Sequence, residues 1–281
     1  MTPARPSGIP GRRDKDGESE QLKTVILCGG YGTRIRDVAE NIPKPMIPVG
    51  RLPILWHLMK YYAGYGHKEF VLCLGYRGQV IKEFFLNYEA QTRDCTITLG
   101  TSQSVEYHTN HEETDWRITL ADTGLETMTG GRVRRIRHYL GNDAHFMLTY
   151  GDGLSNVNLD RLLEFHHGHG RILTVTGVRP PGRFGELMSD ANGLVTEFNE
   201  KPQATGGRIS GGFFVCRPEL FDYLDDRADL VFEEGPMRAL VRDRQLAVYE
   251  HDGFWQCMDT YRDWQFLNGL IENNRALWKT W

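Results

Sequence analysis

The sequence predicts an α/β protein: a mostly parallel sheet with helices packed on its faces. Three observations carry that prediction. Short apolar, β-branched runs recur at 24–28, 69–74 and 146–150, of the kind that fills buried parallel strands. Helical patterns follow at short spacing, over 53–65 and 79–88, which gives a β-α-β-α rhythm. The first run ends in a glycine-rich loop, and open α/β sheets bind their ligands beyond the carboxyl ends of strands.

That loop, Gly29-Gly30-Tyr31-Gly32-Thr33-Arg34, follows the strand residues Leu27 and Cys28. Its glycines permit positive φ and a close approach of backbone N–H groups to an anion. Arg34 adds a planar fork of donors, and Lys44, between Pro43 and Pro45, adds a point charge on a stiffened backbone. The Walker pattern is absent, because Thr33-Arg34 stands where Lys-Ser/Thr is required. The dinucleotide fingerprint is absent too, since its third glycine would fall at Ile35. A plain glycine turn after a strand is the alternative to a phosphate loop.

The helix at 53–65 begins with proline, and its Trp56 and His57 read as packing residues. Strands are expected at 94–100 and 116–121, separated by a polar loop over 101–115. Then come Thr123-Gly124 and Thr129-Gly130-Gly131-Arg132, opening a basic helix over 133–140. Such a turn at a helix N-terminus can hold a base or phosphate, or be an ordinary cap. The strand at 146–150 runs into Gly151-Asp152-Gly153, where the aspartate either holds a metal or makes a turn. A helix over 159–168 ends among His166, His167 and His169, read as surface histidines. A second set of strands is expected at 172–178, 194–202, 210–215 and 254–259. Arg183 and Gly185 lie between the first two of these, and Glu200-Lys201 closes the second. A helix and an aromatic tail finish the chain over 260–281.

At 281 residues the chain is long enough for a large single core. A net charge of −4 argues against a general nucleic-acid binder. No run of about 18 apolar residues occurs, so no membrane span is expected. Residues 1–22 lack an apolar signal core and read as a disordered leader. Five dispersed cysteines without Cys-x-x-Cys pairs fit reduced thiols in a cytoplasm, and no zinc site.

The set GGYGTR, PKP, TGGR, TYGDG, PPGRFG, NEKP, GGFFV and FWQ-x-MDT resembles the sugar-1-phosphate nucleotidylyltransferases, and within them the glucose-1-phosphate cytidylyltransferases. The resemblance runs from Lys23 to Trp281. It implies a Rossmann-like mixed sheet, a nucleotide-binding half at about 23–155 and a sugar-phosphate half at about 156–281. It also implies Mg²⁺, a nucleoside triphosphate and a sugar 1-phosphate as substrates, and a homo-oligomer. It gives Leu27 to Arg34, Lys44, Thr123, Gly124, Thr129 to Arg132 and Gly151 to the nucleotide, with Arg34 and Lys44 as the catalytic cations. Arg183, Gly185, Glu200, Lys201, Ser210 and Gly211 fall to the sugar phosphate, and Asp152 and Asp259 to the metal. Two positions depart from the pattern: Ser210 stands for Asn and Cys257 for Pro. The reaction implied is transfer from CTP to glucose 1-phosphate. Another triphosphate or sugar, or a sensor that binds without turnover, is the alternative.

Overall fold

The computed structural model describes residues 21–32, 35, 42–100, 104–180, 186–189, 194–199 and 207–281. Eight strands make the central sheet: β1 (Lys23–Leu27), β2 (Glu69–Leu74), β3 (Arg117–Asp122), β4 (Phe146–Tyr150), β5 (Leu173–Val178), β6 (Ile209–Ser210), β7 (Phe214–Cys216) and β8 (Leu246–His251). β3, β2, β1 and β4 lie side by side and parallel. β7 is antiparallel to both β4 and β5, with β6 continuing along the same side of β5, and β8 lies parallel on the other side of β5. The sheet is therefore mixed and mostly parallel.

The apolar runs are continuous because both faces of the sheet are covered. Side chains alternate along each strand, so Ile26, Phe70, Leu72 and Met147 enter one core and Val25, Val71, Cys73 and Leu148 the other. The first core is closed by helices α1 (Ile54–Gly64), α2 (Gly78–Leu86), α4 (Leu159–His169) and α6 (Tyr261–Glu272). The second is closed by α3 (Thr129–Arg135) and α5 (Gly235–Arg242). Trp56 and His57 are packed inside, the latter with Nε2 at 2.7 Å from the Val49 carbonyl.

Several expectations are corrected. The loop expected over 101–115 contains a strand, Ser104–Tyr107, which pairs back on Cys95–Thr98 as a hairpin. The strand expected over 210–215 is split into β6 and β7 by positive φ at Gly212 and Phe213. The Phe213 ring stacks on Tyr62 with centroids 5.8 Å apart, and burying it offsets the strain. His166 is not at the surface: it is fully buried, bonded through Nδ1 to Thr174 Oγ1 at 2.7 Å, and His169 meets the same hydroxyl at 2.8 Å. Of the leader, residues 1–20 lie outside the described ones, while Leu22 is buried against the sheet. No helix among the described residues is long and apolar enough to cross a membrane.

Candidate active site

A cleft of about 1130 Å³ opens at the carboxyl ends of β1 and β4. One wall is the loop after β1. Among the described residues, no acceptor takes the backbone N–H of Gly30, Tyr31 or Gly32, which leaves them for an anion. Gly32 has φ +59°, and a Cβ there would lie 3.1 Å from Lys44 Cβ, so this glycine lets the loop close down on the lysine. Lys44 opens a single helical turn, Lys44–Met46, entered through Pro43.

Lys44 is the hub of the cleft floor. Its ammonium lies 2.5 Å from Asp152 Oδ2 and bonds Asp259 Oδ1 as well. Burial would lower its pKa, but the two carboxylates outweigh that and hold it above the ordinary lysine value. Asp152 and Asp259 are 107 residues apart in sequence, and a two-stranded ribbon brings them together. Trp255–Cys257 runs antiparallel to Gly153–Ser155, and the Met258 amide donates to the Asp152 carbonyl at 2.9 Å. Asp259 is then fixed from behind by the start of α6. Asp263 Oδ2 accepts from the amides of Asp259 (3.1 Å) and Thr260 (2.8 Å), while Thr260 Oγ1 accepts from the Asp263 amide.

Arg132 reaches the cleft from α3, yet its donors are spoken for. Nη1 bonds the Leu74 carbonyl, Thr123 Oγ1 and the Gly124 carbonyl at 2.8–2.9 Å; Nη2 bonds the Gly29 and Leu125 carbonyls at 3.1 and 3.2 Å. It is 4% exposed, a buried tie between the loop after β1 and the loop after β3. Gly29 serves it: a Cβ there would fall 2.2 Å from the guanidinium carbon. Thr123, Gly124, Gly130 and Gly131, expected at the nucleotide, are not among the cleft-lining residues and act in this structure as supports. Thr123 and Gly124 hold Arg132. The amides of Gly130 and Gly131, which would have faced a phosphate, are given to the Leu230 carbonyl at 2.9 and 3.2 Å. Leu27 to Gly32, Lys44, Thr129, Arg132, Gly151, Asp152, Ser210, Gly211 and Asp259 all line the cleft.

A family model described as nucleotidyl transferase matches residues 23–260. This chain belongs to the nucleotidyl transferase family. A glucose-1-phosphate cytidylyltransferase from Salmonella typhi is 44% identical over 260 residues, covering 92% of this chain and 100% of the relative. A probable glucose-1-phosphate cytidylyltransferase from Bacillus subtilis matches to the same extent. Mannose-1-phosphate guanyltransferase of Saccharomyces cerevisiae is 28% identical, over 89% of this chain and 64% of its own length. Among solved structures, UDP-glucose pyrophosphorylase complexed with UDP-glucose aligns with TM-score 0.65 at 14% identity, over 91% of this chain and all of the other. HddC from Yersinia pseudotuberculosis complexed with GMP-PN aligns at 0.64 and 19%, over 89% and 100%. These two show the fold, that of the nucleotide-diphospho-sugar transferases.

In this nucleotidyl transferase Ile209, Ser210, Gly211, Trp255 and Phe266 also line the cleft. Trp255 Nε1 donates to the Gly211 carbonyl at 2.8 Å and so fixes the strand break beside Ser210. Thr33, Arg34, Arg183, Gly185, Glu200 and Lys201 lie outside the described residues. Cys257 Sγ sits 3.6 Å from Asp259 Oδ2; burial, then the charges of Asp259 and Asp152, push its thiol up to about 12, so it stays protonated as a weak donor.

Sequence reasoning missed Glu126, Tyr150 and Glu233. Glu233 Oε1 accepts from the Tyr150 hydroxyl at 2.5 Å and its Oε2 from Thr129 Oγ1 at 2.7 Å, bracing two lining residues. In sequence it is one acid of a Glu-Glu pair before Gly235-Pro236, indistinguishable from a solvated helix start. Tyr150 does carry a signal, since it immediately precedes Gly151-Asp152.

Proposed function

We propose that this nucleotidyl transferase moves the cytidylyl group of CTP onto glucose 1-phosphate, releasing pyrophosphate. The observation that carries the reading is the convergence of Asp152, Asp259 and Lys44 beside a loop with open backbone amides. An oxygen of the sugar phosphate attacks the α-phosphorus in line; the new P–O bond forms as the bond to the β-phosphate oxygen breaks. Such chemistry needs positioning and charge neutralisation, and the attacking phosphate is already an anion. CTP and glucose 1-phosphate are favoured by the full-length similarity to cytidylyltransferases.

The two carboxylates fit Mg²⁺. Both reach one point, taken here by the Lys44 ammonium, and Mg²⁺ uses few protein ligands beside waters and substrate phosphates. Bound there, the ion would neutralise charge on the triphosphate. Lys44 then gives its charge to phosphate oxygens, joined on the donor side by Arg34. Arg183, Glu200 and Lys201 form the acceptor side with Ser210 and Gly211. We place the protein in the cytoplasm as a homo-oligomer, a reading supported by its five free thiols and by the family resemblance.

The test is a matrix of nucleoside triphosphates against sugar 1-phosphates, read by pyrophosphate release with Mg²⁺ and with EDTA. CTP with glucose 1-phosphate should give the highest kcat/KM, and EDTA should abolish it. A higher value for UTP, dTTP or GTP overturns the donor; undiminished activity in EDTA overturns the metal.

A further inference from the structure

Glu126 has no role in the chemistry derived above, yet its surroundings are unusual. The loop that carries it is held on both sides by arginines. Arg132 takes the Gly124 and Leu125 carbonyls, and Arg135 Nη1 takes the Thr123 carbonyl at 2.7 Å and Thr127 Oγ1 at 2.8 Å. The Met128 amide is tied to the Ala228 carbonyl at 2.7 Å. With its backbone pinned this way, the loop offers the Glu126 side chain to the cleft. Around it stand three apolar side chains that line the same cleft and remain open to water: Tyr31 (40% exposed), Leu125 (52%) and Met128 (46%). The Glu126 carboxylate accepts the Tyr31 hydroxyl across the cleft mouth, and the Tyr31 ring leans on Tyr76 with centroids 5.0 Å apart. An acceptor-only group on a rigid loop, ringed by exposed apolar faces, is what the edge and faces of a flat heterocycle require.

The reacting end of the cleft is marked by Lys44, Asp152 and Asp259. Gly32 packs against Lys44 and the Tyr31 hydroxyl reaches Glu126, so the loop with the open amides of Gly30 to Gly32 runs from that end to Glu126. A triphosphate laid along those amides therefore sends its base toward Glu126. We propose that Glu126 reads the base: its carboxylate accepts the exocyclic N4 amino group of cytosine, displacing the Tyr31 hydroxyl that fills the position beforehand. This rests on the cytidylyl transfer proposed above. A carboxylate has no donor. It pairs with the amino group of cytosine and repels O4, which uracil presents at the same place. A carboxylate facing O4 would set two acceptors against each other, so uracil loses the contact that cytosine gains.

The experiment measures kcat/KM for CTP and for UTP, with glucose 1-phosphate saturating, in wild type, Glu126→Gln, Glu126→Asp and Tyr31→Phe. A glutamine side chain can donate as well as accept, so Glu126→Gln should lower the CTP-to-UTP ratio by about tenfold or more, the worth of one good base-edge contact. Glu126→Asp keeps the charge and should keep CTP preferred. Tyr31→Phe removes only the competitor for the carboxylate and should leave the ratio within about threefold of wild type. A purely structural role for Glu126 would depress both substrates alike and leave the ratio unmoved. That result, in a Glu126→Gln enzyme that still turns over CTP, overturns the inference while leaving cytidylyl transfer intact. A wild-type preference for UTP overturns both.

Discussion

Lys44 bonds two carboxylates at once, so before substrate arrives the reacting end of the cleft holds one ammonium between two carboxylates. Each member matters more than an exposed ion pair would, because the lysine is only 13% exposed and its partners under a third. Removing one preorganised charge from a site of developing phosphate charge costs about 10²–10³ in rate. Asp152→Asn, Asp259→Asn and Lys44→Ala should each lower kcat for pyrophosphate release by that order. The two asparagine variants should keep the wild-type circular dichroism, because both aspartates sit at the cleft surface and not in either core. Near wild-type turnover in either would remove it from the metal-binding role. Cys257, protonated beside Asp259, adds only a weak S–H contact, so its departure from the family pattern leaves the charge balance unaltered.

At the scale of elements, the loop after β1 and helix α3 are one unit joined through Arg132. Gly29→Ala would drive a methyl into the guanidinium, 2.2 Å away, and Arg132 could yield only by leaving several buried carbonyls without a donor. The expected loss is about 3 kcal/mol or more, seen as a fall in the urea midpoint. Gly30→Ala, with no atom of the described residues beyond its chain neighbours within 4 Å of the new Cβ, should unfold like wild type. Equal stability of the two variants would show that Arg132 is not the tie it is drawn as. The glycines of this loop announce themselves in sequence, but not their separate duties. Gly29 serves an arginine 103 residues away, and no local pattern encodes that. Strands β1, β2 and β4 were legible because burial on both faces makes them continuously apolar. β8 was not, because it lies outermost and mixes Val248 and Glu250, both exposed, with half-buried neighbours. Lys44 was legible from its flanking prolines. The meeting of Asp152 with Asp259 depends on a ribbon of three-residue strands that no local pattern marks as paired.

For the whole molecule, burial on both sides of the sheet also traps histidines. His57 lies in the core between α1 and Trp278, His67 takes the Leu22 amide at 3.3 Å, and His166 sits under β5. Burial first of all pushes His57 and His67 down to about 4 and His166 to about 3, against an ordinary 6.5. The folded chain therefore binds fewer protons than the unfolded one between pH 6.5 and about 4. Above pH 6.5 these histidines are neutral in both states and stability is flat with respect to them. As pH falls below 6.5 the unfolded chain takes up protons that the folded chain refuses, and stability drops until the folded values are reached. At pH 5 each histidine has cost about 2 kcal/mol. Carboxylates contribute little in this window, since their unfolded values lie near 4. Urea unfolding should therefore show a steep loss of stability between pH 7 and pH 5, with an unchanged m-value. Replacing His67 by Gln should flatten that slope by about 2 kcal/mol over the same interval, whatever it does to stability at pH 7. A wild-type unfolding free energy that stays constant from pH 7 to pH 5 would mean that these three rings take protons in the folded state, and that the two cores are open to water.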